Sequence, residues 1–172
     1  MNDQAMADAI PMTNEPEKRE YDDHHVYGGK GALSFAASMT RGSEGSPGKP
    51  TVMLEGAKAV APRKYNWAKG QKVSVQFTLQ ELPVVAAVFL GVLPSCEFKN
   101  HGPEGNKWFS IENQGGKFFV KVGQAANAIA VPMTSNDAFY VTQIVLDQIK
   151  AGRPSFSHTD TMQLIARMFR TT

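Results

Sequence analysis

The chain has 172 residues, a formal net charge of +2 and 42% hydrophobic residues, which suits one globular domain with tails or two small halves. Its longest apolar run, Leu82 to Leu93, contains Pro83 and Gly91 and falls short of the roughly 18 residues a spanning helix needs, so no membrane partner is expected. Cys96 is the only cysteine, which excludes intramolecular disulfides and multi-cysteine metal sites and fits a reducing compartment.

Residues 1–20 are polar and acidic and carry Pro11 and Pro16, a composition that predicts a flexible arm. Met1 opens this acidic segment, unlike the basic start of a secretory signal or a transit peptide, so the chain is expected to stay where it is made or to represent a processed form. Strand-like stretches follow at His24 to Tyr27, Ala32 to Ser38, Thr51 to Ala59 and Lys72 to Thr78, with a Gly, Ser and Pro-rich loop over Arg41 to Pro50. Thr78 and Glu81 have the spacing of a capping box. Pro83 argues that the regular helix begins nearer Leu82, with the proline in its first turn. "VVAAVFL" is apolar all round, so this helix should be buried.

Four further strands are read at Ser95 to Asn100, Lys107 to Asn113, Lys117 to Val122 and Ala128 to Met133. A helix then starts between Thr134 and Asn136 and ends at Gly152, ahead of Pro154. "VQFTLQE" and "VPMTSND" match at Val, Thr and an acid where strand enters helix, so four strands and a helix occur twice. A third helix, about Thr159 to Phe169, shows an apolar stripe of Met162, Ile165 and Met168 or Phe169. The domain organisation is therefore an arm over 1–20, a core over 21–152 and a helical tail over 153–172. Leu79, Val85, Val88, Phe118, Val120 and Ile144 are expected in the core.

The small net charge hides an asymmetry, because residues 1–23 carry −5 and the remainder +7. Lys58, Arg63, Lys64, Lys69 and Lys72 lie in one acid-free stretch and Lys117 and Lys121 in another, which implies an anionic partner. Catalytic signatures are lacking. "GGKG" at Gly28 lacks the spacing of a phosphate-cradling loop. His24 and His25 point to opposite faces of a strand, His101 and His158 fall in expected loops, and Cys96 reads as an inert, partly buried thiol. Neither an enzyme nor a cofactor is expected. Lysines on strands with aromatics beside them are the means by which sheets hold single-stranded nucleic acid.

Several stretches resemble the Whirly family of organellar single-strand-binding proteins: "RKYNWAKGQKVSVQFTLQEL" (Arg63 to Leu82), "SCEFKNHGP" (Ser95 to Pro103), "KFFVKV" (Lys117 to Val122) and "AVPMTSNDAF" (Ala130 to Phe139). "YGGKGALSF" (Tyr27 to Phe35) is similar to the plant members' Lys-Gly-Lys-Ala-Ala-Leu motif, with Gly28 in place of its first lysine. The glycine-rich loop and divergent ends are similar to the kinetoplastid mitochondrial branch, the guide-RNA-binding proteins. The resemblance, which covers about residues 24–152, implies an α+β fold: a duplicated four-strand-plus-helix unit giving two antiparallel four-stranded sheets set crosswise and braced by helices.

It further implies a mitochondrial matrix location, a heterotetramer with a related sibling subunit, and RNA held through its phosphates with bases turned outward. The implied function is annealing of guide RNA to pre-edited mRNA. A plant-type single-stranded DNA binder, or a non-enzymatic scaffold for an acidic protein, are the alternatives. The candidate phosphate contacts are Lys30, Lys58, Lys64, Lys69, Lys72, Lys107, Lys117 and Lys121, followed by Arg63 and Lys99. Trp67 and Trp108 are read as packing residues.

Overall fold

The computed structural model describes residues 22–170; the arm expected over 1–20 lies outside them. The first unit runs β1 (Asp23–Tyr27), β2 (Gly31–Met39), β3 (Pro50–Ala61), β4 (Lys64–Tyr65), β5 (Val73–Gln76) and α1 (Glu81–Phe89). The second runs β6 (Ser95–His101), β7 (Lys107–Asn113), β8 (Phe118–Gln124), β9 (Asn127–Met133) and α2 (Ser135–Gly152), and α3 (His158–Met168) follows. The repeated strand order is as the sequence predicts, with the two-residue β4 as an addition. β3 is long enough to pair with β5 through Met53 to Gly56 and with β4 through Ala59 and Ala61. The first sheet therefore has five strands and the second, β6-β7-β8-β9, has four.

The two sheets pack face to face, and β9 touches β1, β2 and β3 in turn, as a strand crossing them does. Glycines permit the crossing. A Cβ on Gly56 would stand 2.4 Å from Val122 Cγ1, and one on Gly31 would stand 2.8 Å from Ile129 Cγ2, so the second sheet rests on bare backbone at these points. Around them Phe35, Leu54 and Val75 of the first sheet and Ile111, Val120 and Val131 of the second are buried. The rings of Phe77 and Phe109 stack across the interface with centroids 4.5 Å apart.

α1 and α2 close the core with Val85, Val88, Val141, Ile144 and Val145, all buried. α2 begins as predicted: Thr134 and Asp137 form a reciprocal capping box. At α1 the predicted box is only half made. The Thr78 N–H donates to Glu81 Oε2 at 2.8 Å, while the helix starts from Gln80 without a side-chain cap. Pro83 sits in its first turn, where a missing N–H costs nothing. Leu79, expected in the core, is 39% exposed, because it falls in the turn before the delayed helix start.

α3 docks on α1 and α2, but its apolar stripe is divided. Ile165 and Thr161 are buried and Phe169 packs against the core, whereas Met168 is 72% exposed and Met162 also faces out.

Candidate nucleic-acid interface

Alternation along β1 turns His24 and Val26 towards α2 and the core and leaves His25 and Tyr27 on the outer face. Tyr65 and Trp67 supply a second aromatic pair. The rings of His25 and Tyr27 are parallel with centroids 5.9 Å apart. Trp67 meets His25 edge-on at 5.7 Å, and Tyr65 lies 5.5 Å from Tyr27. The Tyr65 hydroxyl donates to the Gly28 carbonyl at 2.8 Å and so fixes the ring. Tyr27, Ala32 and Ala57 form one cross-strand row; both alanines are fully covered, while Tyr27 stays 64% exposed. Trp67 packs on His25, in keeping with its reading as a packing residue, and the period-two spacing of His25 with Tyr27 and of Tyr65 with Trp67 is the sequence signal for the quartet as a whole.

Cations gather at the same end of the first sheet. Lys30 lies in the β1–β2 turn, Lys58 near the end of β3, Arg63 in the β3–β4 turn and Lys64 at the start of β4. Backbone bonds from Ala59 N–H to Lys30 O (3.1 Å) and from Asn66 N–H to Lys58 O (2.9 Å) hold these turns side by side. These four residues and Lys69 are exposed, and none forms an ion pair among the described residues. Five cations unpaired among the described residues, beside the exposed Tyr27 ring, can neutralise a run of phosphates.

On the second sheet Phe118, Val120 and Val122 point inward and Lys117, Phe119 and Lys121 outward, as alternation predicts. This face has mixed charge in space. Phe119 stands opposite Glu112 and Lys121 opposite Ser110, and on the next strand Glu97 pairs with Lys99 at 3.1 Å. The Lys121 ammonium lies 5.3 Å from the centre of the Phe119 ring, a cation–π contact. Trp108 is a packing residue as expected. Its indole covers Gly123, where a Cβ would come within 2.5 Å of the ring, and its Nε1–H donates to Ala125 O at 3.3 Å.

Two candidate lysines are committed elsewhere. Lys72 Nζ contacts Glu55 Oε2 at 2.7 Å, and Ser74 Oγ donates to the other oxygen of that carboxylate at 2.7 Å. Lys107 shares the inward parity of Phe109 and Ile111 and donates to Ser74 O at 3.1 Å. Half-buried, it bridges the two sheets and is less free to meet a phosphate than the exposed lysines.

The histidines expected in loops are also engaged. His101 closes β6 and faces Glu81 at 2.9 Å, with the two side chains only 10% and 9% exposed. His158 opens α3, its Nε2 2.8 Å from Asp147 Oδ1. His24 Nε2 lies 3.0 Å from Asp137 Oδ1. Burial alone would raise the Asp137 pKa, but the hydrogen bonds from His24 and from the Thr134 hydroxyl and N–H outweigh it and hold the carboxyl below its usual range. Burial pushes the Cys96 thiol up to about 12, in line with an inert role.

No protein-family profile matches the chain, and a search of curated proteins finds no match. Solved structures do. The crystal structure of WHY1 from Arabidopsis thaliana superimposes with a TM-score of 0.59 at 20% identity, covering 90% of this chain and 97% of that one. The plant transcriptional regulator PBF-2 gives 0.57 at 21% identity, covering 84% and 87%. Both are Whirly proteins, and the likeness over nearly the whole described chain establishes an α+β, Whirly-like fold.

Proposed function

We propose that the chain is a non-enzymatic, sequence-tolerant single-strand-binding protein that holds RNA by its phosphates. The observation that carries this reading is the end of the first sheet, where Lys30, Lys58, Arg63, Lys64 and Lys69 are exposed beside the Tyr27 ring and have no ion-pair partner among the described residues. Phosphate contact needs no base sequence, and charge neutralisation removes the repulsion that opposes pairing of two strands. On this reading the protein promotes annealing of guide RNA to pre-edited mRNA in the mitochondrial matrix, assembled with a related sibling subunit. The bases stay open to hybridise, and the protein makes or breaks no bond.

Binding of labelled single-stranded RNA across a salt series tests the proposal. Five phosphate contacts predict a log–log slope of about −3.5, together with faster annealing of complementary strands of unrelated sequence. Absence of RNA binding at low salt overturns it. A single-stranded DNA binder of plant type is the second reading, favoured by both structural neighbours being plant proteins. Competition between RNA and DNA of one sequence separates the two.

A further inference from the structure

α3 leaves a long groove beside the ends of α1 and α2. One part, a cavity of about 330 Å³, is lined by Pro83, Ile149, Phe156, Leu164, Ile165 and Met168. A second part, about 520 Å³, continues past Pro83, Ile149 and Arg153 to Leu79, Lys49 and Pro50. Its walls account for much of the exposed apolar surface: Leu79 is 39% exposed, Phe156 42%, Leu164 45% and Met168 72%. Its rim is basic. Lys49 and Arg153 line it, Lys150 and Arg167 lie on the adjoining turns of α2 and α3, and none of the four forms an ion pair among the described residues. An apolar floor with a cationic rim fits an acidic segment that also carries apolar side chains.

The residues ahead of β1 have that chemistry. Residues 1–21 hold Met6, Ile10 and Met12 together with Asp3, Asp8, Glu15, Glu17 and Glu20. They also join the fold in the right place. Asp22 O accepts from Ala37 N–H, and two residues further along β2, Met39 pairs with Pro50 at the groove's mouth. Strand spacing and rise put Asp22 about 12 Å from Pro50, whereas 21 residues span up to about 70 Å. The tether keeps the segment at an effective concentration of the order of millimolar, so a weak contact suffices.

We propose that the acidic N-terminal segment of this chain docks in cis into the groove between α1, α2 and α3, with Met6, Ile10 and Met12 against Leu164, Met168 and Phe156 and its carboxylates at Arg153 and Lys49. The proposal is independent of the nucleic-acid reading. It gives the basic rim on the helical side an anion from the same chain and leaves the free cations of the first sheet to an external one.

A polarity-sensitive dye on a Met6→Cys variant of the full chain tests it, with Cys96→Ser added so that a single thiol takes the label. The expected result is blue-shifted emission relative to the same dye on a peptide of residues 1–21. The shift should be independent of protein concentration, be abolished by Leu164→Glu and by Met168→Glu, and be weakened by Arg153→Glu. Both apolar positions are exposed, and circular dichroism checks that the variants fold. Peptide-like emission, a shift that both glutamate variants leave unchanged, or a shift that grows with protein concentration each overturns docking in cis; the last points to the segment of a second copy.

Discussion

Glu81 and His101 meet 2.9 Å apart where the first turn of α1 crosses the end of β6, with both side chains some nine-tenths covered. The same carboxylate accepts the Thr78 N–H, so one side chain ties the β5–α1 turn, the helix and the second sheet together. Deleting one partner of a buried polar pair leaves the other without its bond, which costs more than the bond itself contributes. His101→Ala should therefore lower stability in urea unfolding by about 2–3 kcal/mol, and His101→Gln, which retains a donor, should lose clearly less. Equal losses for the two variants would show that the cost comes from packing against Phe109.

Asp137 gives the acid limb of stability a defined sign. Its folded pKa lies below the ordinary value of 3.8, so its contribution is complete above the unfolded value and is lost as pH falls through the lower, folded one. Asp137→Asn should cost stability at pH 7 and cost less near pH 3, making the stability curve flatter below about pH 4. A mutant curve parallel to the parent's through that window would contradict the assignment.

Gly56 is where the sheets cross. A methyl group there would press on Val122 Cγ1, a β-branched side chain already fully buried. Gly56→Ala should destabilise by about 1–3 kcal/mol, and Val122→Ala in the same molecule should recover part of that loss. Additive losses would mean that the two positions are not in contact.

Alternation in β1, β7 and β8 was legible because one face of each strand is buried, and the repeated strand-to-helix signal placed both units. What the sequence hid was tertiary. Lys107 is indistinguishable from a surface lysine until the sheets are stacked, when its inward parity sends it to Ser74. The acid-free stretch around Lys117 and Lys121 acquires Glu112 and Glu97 from neighbouring strands. Conversely Lys30, Lys58 and Arg63, scattered over more than thirty residues of sequence, become one patch because the β1–β2 turn lies at the same end of the sheet as the last residues of β3 and the β3–β4 turn.

That difference between the patches predicts a ranking. Lys30→Glu with Lys64→Glu should reduce RNA affinity more than Lys117→Glu with Lys121→Glu, and both pairs should act alike on unrelated sequences, because phosphate contacts carry no sequence information. Each lost contact should make the salt slope shallower by about 0.7. Lys72→Ala should leave the slope unchanged and act on stability through Glu55. Reversal of the ranking would move the principal track to the second sheet.

Arg63 separates binding from stability in a single residue. Its φ of +58° lies in the left-handed region, which costs a residue with a Cβ about 1 kcal/mol, yet its exposed guanidinium belongs to the basic cluster. Glycine removes both the strain and the charge. Arg63→Gly should therefore raise stability slightly, by no more than about 1 kcal/mol once the added freedom of the unfolded chain is counted, while weakening RNA binding and flattening its salt dependence. Arg63→Ala should weaken binding to the same extent with no gain in stability, because alanine keeps the strained Cβ. If both variants bind RNA as the parent does, Arg63 takes no part in phosphate contact; if neither differs from the parent in stability, the turn relaxes without strain.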